Sequence, residues 1–254
     1  QWATGLGLRV EAPGPDLATR LAGVDYDWLL SIANLTVIDQ ALIDKATQGA
    51  INFHDGPLPR HAGLNAPVWA ILGGEKQHGV TWHLMQGGID EGDILKQKLF
   101  DMAPAETALT LNTRCYEAAI ESFGELLGDL QAGTIRRTPQ DLSQRSYHAR
   151  LDRPAAAARI DLTRPAHEVL ALVAALDHGT YWNPLCCPKL DLGSRVLAVG
   201  AAVAETGLAA VPPGPVVEAT MGGLVVGTGT TPVRLTGLRD MGNQATCPTT
   251  VAQA

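Results

Sequence analysis

Long apolar runs are missing from this sequence. Nothing approaches the roughly 18 uninterrupted residues that cross a membrane as a helix, so no membrane partner is expected. The opening Gln1-Trp2-Ala3-Thr4 has neither a basic n-region nor an apolar core, so no secretory signal is visible and a cytoplasmic location is expected. There is no initiator Met, and the chain reads as a fragment. Cysteine is sparse, at 4 residues. Cys115 sits inside an apolar helical pattern, and Cys186, Cys187 and Cys247 stand at spacings that match no metal motif, so no metal site is expected. Positive charge is short in the first half: residues 1–135 hold 8 Lys and Arg against 17 Asp and Glu. Residues 136–254 hold 11 against 9, read as scattered. A nucleic-acid partner asks for a concentrated basic face, so tRNA is not expected to bind. No Gly-x-Gly-x-x-Gly phosphate loop precedes the first strand pattern.

What is present is apolar material. The chain is 46% hydrophobic and 18% charged over 254 residues, enough for one large domain or two modest ones with a sizeable core. Residues 27–33 are apolar nearly throughout, as buried parallel strands are. Asp39 can cap a helix running through Lys45, Gly49 ends it, and residues 50–54 form the next strand. Strand, helix, strand at this pitch predicts a parallel α/β sheet.

Farther on, residues 65–72 read as a short helix, and Val80, Trp82 and Leu84 share one face of an alternating strand. Residues 93–100 form a returning strand. Thr107 opens a long amphipathic helix with Leu111, Cys115, Ala119, Phe123 and Leu126 at helical spacing, and Gly133 stops it. Residues 135–154 are polar and proline-bounded, a candidate linker. Beyond them Pro165 suits the first turn of a helix striped by Val169, Leu172, Val173 and Leu176. The short β-like runs that follow, with a turn at Met221-Gly222-Gly223, suggest a small barrel.

Three polar groups interrupt the first frame. Asn52 and His54, two apart on one strand, project to the same face. Asp90 lies 36 residues after His54 in a glycine-flanked loop, far enough for a helical crossover and a returning parallel strand. An amide, an imidazole and a carboxylate would then meet at one end of the sheet.

At these residues the sequence resembles the folate-dependent formyltransferases. That family carries Asn-x-His followed by a Ser-Leu-Leu-Pro loop, then an Asp before Thr-Gly-Asp. Here the positions read Asn52-Phe53-His54, Gly56-Pro57-Leu58-Pro59 and Asp90-Glu91-Gly92-Asp93. The His-Asp-Gly-Pro-Leu-Pro wording is most similar to the formyltransferase-like domains at the start of nonribosomal peptide synthetases. The resemblance implies a Rossmann-like α/β catalytic domain over residues 1–135, with the family's opening strands and helices missing. It further implies a linker over 136–155, a small open β-barrel of OB type over 156–241, and a tail or linker over 242–254.

The resemblance also implies a chemistry, transfer of a formyl group from 10-formyltetrahydrofolate to an amine on a small metabolite or a carrier-bound aminoacyl group. Asn52 would donate to the developing oxyanion. His54 would donate too, or carry charge beside Asp90, and Asp90 would collect the amine proton. The folate would lie against Val37, Ile38, Gly56, Pro57, Leu58, Pro59 and Ile89. Pro57 has no N–H, so the loop is expected to touch the folate through carbon atoms and carbonyls only. The same trio would serve hydrolysis of the formyl-folate, and a non-catalytic docking domain of a larger synthetase is the other alternative. His83, opposite Trp82 on its strand, is expected to pack or to support its neighbours by hydrogen bonding rather than to catalyse.

Overall fold

The computed structural model describes residues 2–242 and Thr246. The tail expected after Gly242 lies outside the described residues apart from Thr246, and so does Cys247. Two helical turns, α1 (Trp2–Gly5) and α2 (Leu17–Arg20), precede β1 (Trp28–Ser31), α3 (Gln40–Lys45) and β2 (Gly49–His54). Then come β3 (Ala62–Gly63), α4 (Ala66–Leu72), β4 (Gln77–Leu84), β5 (Ile94–Asp101) and the long α5 (Ala108–Ala132). β1, β2, β4 and β5 form one sheet in that order.

β1 and β2 pair in parallel across the α3 crossover, as the strand–helix–strand pattern predicts. The next strand departs from expectation: β4 returns antiparallel to β2, and β5 antiparallel to β4. A parallel return would need a crossover as tall as the sheet. The only helix in between, α4, has 7 residues, about 10 Å at 1.5 Å per residue. The chain therefore re-enters beside the end it left, with His54 opposite Thr81 and Ile51 opposite Leu84. β1 differs as well. It is an edge strand among the described residues, and Leu30 and Ile32 keep 37% and 46% of their surface exposed instead of being buried.

α5 is bounded as its sequence indicates. The Thr107 hydroxyl accepts from the Thr110 amide while the Thr107 amide donates to the Thr110 hydroxyl, and Gly133 closes the helix at φ 65°. Its buried side meets Ile51, Val80, Trp82 and Leu84 on one face of the sheet. Trp82 Nε1 donates to Ser122 Oγ at 2.9 Å across that seam. Period-two alternation then assigns Asn52, His54, Thr81 and His83 to the opposite face, and all four are polar.

The later elements are β6 (Tyr147–His148), α6 (Ala166–Ala175), β7 (Lys189–Asp191), β8 (Val196–Ala198), β9 (Ala201–Ala204), β10 (Val216–Thr220), β11 (Gly223–Val226) and β12 (Val233–Thr236). Where a small barrel is expected there are an antiparallel sheet ordered β10-β11-β12-β9 and a β7–β8 hairpin, joined where Ala198 of β8 exchanges two backbone hydrogen bonds with Arg239 beyond β12. Both share a core with Val169 and Val173 of α6. The turn at Met221-Gly222 is present, with Thr220 opposite Gly223. The segment expected to be a linker is laced to the first unit. Thr138 exchanges two backbone hydrogen bonds with Ile94, and β6 pairs in parallel with β3.

Candidate functional site

His54 closes β2 and is 5% exposed. Its Nε2 donates to the backbone carbonyl of His61 at 2.9 Å, which turns Nδ1 toward Asp90 Oδ2 at 3.6 Å. Gly56 makes this pose possible, because a Cβ there would stand 2.7 Å from His54 Nε2 and 2.9 Å from the Ala66 methyl. Asp55 does not point away as a continuing strand would require. The strand ends at His54, and the Asp55 carboxylate comes to 3.9 Å from His54 Nδ1.

Asp90 sits on the β4–β5 connection with φ 57°, a left-handed conformation that folds the loop back over the polar face. The trio thus meets on that face and not at a shared strand end. The Gly63 amide donates to Asp90 Oδ2 at 2.8 Å, and His83 Nε2 lies 3.2 Å from Oδ1. Burial is the largest single influence on this carboxyl and acts to raise it. The His83 hydrogen bond, the nearby His54 and the Gly63 amide together outweigh burial and hold Asp90 below the usual carboxylate range.

His83 is the group that sequence reasoning left as support, and it sits at the centre. Its Nδ1 donates to the Leu84 carbonyl at 2.9 Å, while Nε2 is within 3.2 Å of both Asp90 Oδ1 and Asn52 Nδ2. One nitrogen cannot donate to the carboxylate and accept from the amide at once, so the proton on His83 decides which neighbour it holds. The signal that finds it is register: His83 is the direct cross-strand partner of Asn52.

Of the expected folate-lining residues, Val37 and Ile38 lie on the loop after β1. That loop leaves from Ser31, the register partner of Asn52, and Val37 is 90% exposed. Ile89 is exposed on the Asp90 loop, its carbonyl taken by an Arg145 N–H at 2.9 Å. In the Gly56–Pro59 loop the carbonyls of Gly56, Pro57 and Leu58 each accept a hydrogen bond, from Thr81 Oγ1, the Arg60 amide and Gln97 Nε2 respectively. Two open cavities, of about 570 and 340 Å³, lie at the β5 edge and beneath α3, and neither is lined by the trio. Among the described residues no group of three or more His, Cys, Asp or Glu could hold a metal ion.

Comparison with known proteins places this geometry in context. A family described as Formyl transferase matches residues 10–127. A methionyl-tRNA formyltransferase from Chromobacterium violaceum is 31% identical over 243 residues, covering 94% of this chain and 75% of the relative. One from Pseudomonas fluorescens is 32% identical over 225 residues, covering 89% and 68%. Among solved structures, HypX from Aquifex aeolicus in complex with tetrahydrofolic acid superposes with a TM-score of 0.69 at 23% identity. That match covers 90% of this chain but 38% of HypX. An N-formyltransferase from Helicobacter canadensis, in complex with folinic acid and dTDP-3-aminofucose, gives 0.68 at 16% identity, covering 92% of this chain and 80% of that one. At those identities the structures share the fold.

Proposed function

This chain belongs to the folate-dependent formyltransferase family, and from that premise we propose that it moves a formyl group from 10-formyltetrahydrofolate to a primary amine. The observation that carries the reading is the convergence of a half-buried Asn52 with the buried His54 and Asp90, through His83, in one cluster. The donor supplies an activated formyl carbon. Attack by the amine puts negative charge on the formyl oxygen, where the Asn52 amide can donate, joined by the His54 Nδ1 edge beside Asp90 when that nitrogen carries a proton. The new C–N bond leaves the amine with a surplus proton. Asp90, ionised because its neighbours hold it so, is the acceptor for that proton, directly or through water. Breaking the old C–N bond needs a proton on the folate nitrogen, and the one taken up by Asp90 can pass there by way of His54 Nδ1, 3.6 Å from the carboxylate, which returns both groups to their starting state.

The residue assignment rests on geometry, and Val37, Ile38, Pro57, Pro59 and Ile89 are offered as the surface against which the folate lies. Gly56 and Leu58 support that surface from behind, through their bonds to Thr81. For the acceptor, a small amino metabolite and a carrier-bound aminoacyl group stand beside methionyl-tRNA. Two observations return tRNA to consideration: the names of the curated relatives, and the concentration of seven of the eleven later cations between residues 136 and 164. The test is release of tetrahydrofolate with methionyl-tRNA, a dTDP-linked amino sugar, free amino acids and water as acceptors. Asn52→Ala, His54→Ala and Asp90→Ala should each lower turnover by about 10² or more, as loss of an oxyanion donor or proton carrier does. All three variants turning over within about threefold of the parent would sink the assignment.

A further inference from the structure

Gln140 lies outside the catalytic unit in sequence, on the segment that joins it to the second unit. Its side chain nevertheless reaches the Asp90 loop, where Nε2 donates to the carbonyls of Asp90 at 2.9 Å and Gly92 at 2.7 Å. Resting on the catalytic reading of Asp90 above, we propose that Gln140 is a positioning residue whose amide clamps the backbone on both sides of Glu91 and so keeps the Asp90 carboxylate within reach of His54.

The loop needs such a clamp. It contains Gly87, Gly88 and Gly92, and Asp90 itself holds φ 57°, a left-handed conformation that is strained for a non-glycine residue. Gly92 admits no side chain, because a Cβ would stand 2.0 Å from the Leu84 carbonyl oxygen. Gly63 and His83 hold the Asp90 side chain, and the loop's own ties are the Gly88 amide on Glu91 and the Leu84 amide on the Asp93 carbonyl, but none of these grips the Asp90 or Gly92 carbonyl. Gln140 supplies the hold from a backbone that is itself fixed on both sides, by the Thr138–Ile94 bonds before it and by the β3–β6 pair after it. Arg145 adds a second grip on Ile89 from the same segment.

The residue type fits the task. A primary amide presents two N–H groups, one for each carbonyl, and Gln140 Oε1 is buried with no hydrogen-bond partner, so the group is turned for donation alone. A glutamate at this position would set carboxylate oxygens against two carbonyls, and a hydrophobic side chain would leave both carbonyls without a donor.

The test is a double-mutant cycle in the 254-residue chain, reading tetrahydrofolate release with the best amine of the panel above, or with water. Gln140→Met should lower kcat about tenfold and leave KM for 10-formyltetrahydrofolate within about twofold, the pattern of lost positioning and not of lost binding. Gln140→Lys, which keeps N–H donors at similar reach, should stay within about threefold of the parent. In an Asp90→Ala background, Gln140→Met should cost less than about twofold more, because the residue it acts through is gone. An equal loss in both backgrounds, or unchanged kcat in Gln140→Met, overturns the inference. If Gln140→Met does not fold, Gln140→Asn, whose shorter amide cannot span both carbonyls, takes its place in the cycle. If Asp90→Ala alone leaves turnover intact, the catalytic reading of Asp90 fails, and deuterium uptake by residues 86–93 decides the clamp separately. Raised uptake in a folded Gln140→Met chain supports it, and unchanged uptake overturns it.

Discussion

A single methyl group at position 56 should disable this protein. In Gly56→Ala the new Cβ falls 2.7 Å from His54 Nε2 and 2.9 Å from the Ala66 methyl, well inside contact distance on two sides. The Ala66 side cannot yield cheaply, since Ala66 is the first residue of α4 and fully buried. The imidazole must then swing, and its bond to the His61 carbonyl goes with it. Overpacking of a tight core costs about 1–3 kcal/mol. A buried donor left without its acceptor adds about 1–3 kcal/mol. The expected destabilisation is therefore about 2–6 kcal/mol, with turnover down by about 10² because His54 no longer faces Asp90. Urea unfolding gives the first number and tetrahydrofolate release the second. Gly124→Ala is the matched control: it is exposed on α5 with nothing within 4 Å of its would-be Cβ. It should gain about 0.5–1 kcal/mol from helix propensity and leave turnover alone. A Gly56→Ala chain as stable and active as its Gly124→Ala counterpart would refute the packing argument.

Stability should also depend on acid in two stages. Burial pushes His61 and His78 down to about 4, so each stays neutral in the folded chain while the unfolded chain takes up protons below about pH 6.5. Their contribution is complete above that value and is lost as pH falls toward 4, with a slope of up to about 1.4 kcal/mol per pH unit for each. Urea midpoints that stay flat between pH 6.5 and 4.5 would contradict this, and His78→Gln should make the slope shallower. Asp90, held below its ordinary value, contributes above about pH 4 and loses its share as pH falls through its folded-state value, so Asp90→Asn should flatten the most acidic part of the curve. Ser122→Ala should cost about 1–3 kcal/mol by stranding the buried Trp82 N–H. Adding Trp82→Phe should then cost less than it does alone, and strict additivity would show that the bond contributes nothing.

Facing was legible in the sequence wherever it followed from local periodicity. Asn52 and His54 share a face because strands alternate, and α5 lies between Thr107 and Gly133 because both ends are marked by capping residues. Direction was not legible. The interval from His54 to Asp90 accommodates a parallel or an antiparallel return equally, and only the short reach of α4 decides between them. Glycines in the second unit marked the strand ends, but the split into a four-stranded sheet and a hairpin depends on pairing between distant segments. His83 was hidden for the same reason, since its importance is its register with Asn52. Gln140 had no local sign at all, because its partner lies 50 residues away.

The hydrophobic cluster beneath α4 has a consequence for how this architecture can be recombined. Val68, Ala70 and Ile71 of α4 and Leu111 of α5 interlock there with Ala158, Ala175, Leu176 and Leu185 from beyond the joining segment. The seam between the two units is thus half a core on each side, closer in character to the interior of one domain than to a surface where modules meet. A chimera that takes its first 155 residues from this chain and the remainder from a relative inherits two halves cut to different volumes. It keeps its fold only if the residues facing each other across that seam travel together, and because Val169 and Val173 of α6 also pack into the core of the later strands, a crossover after Leu185 would cut that second core instead.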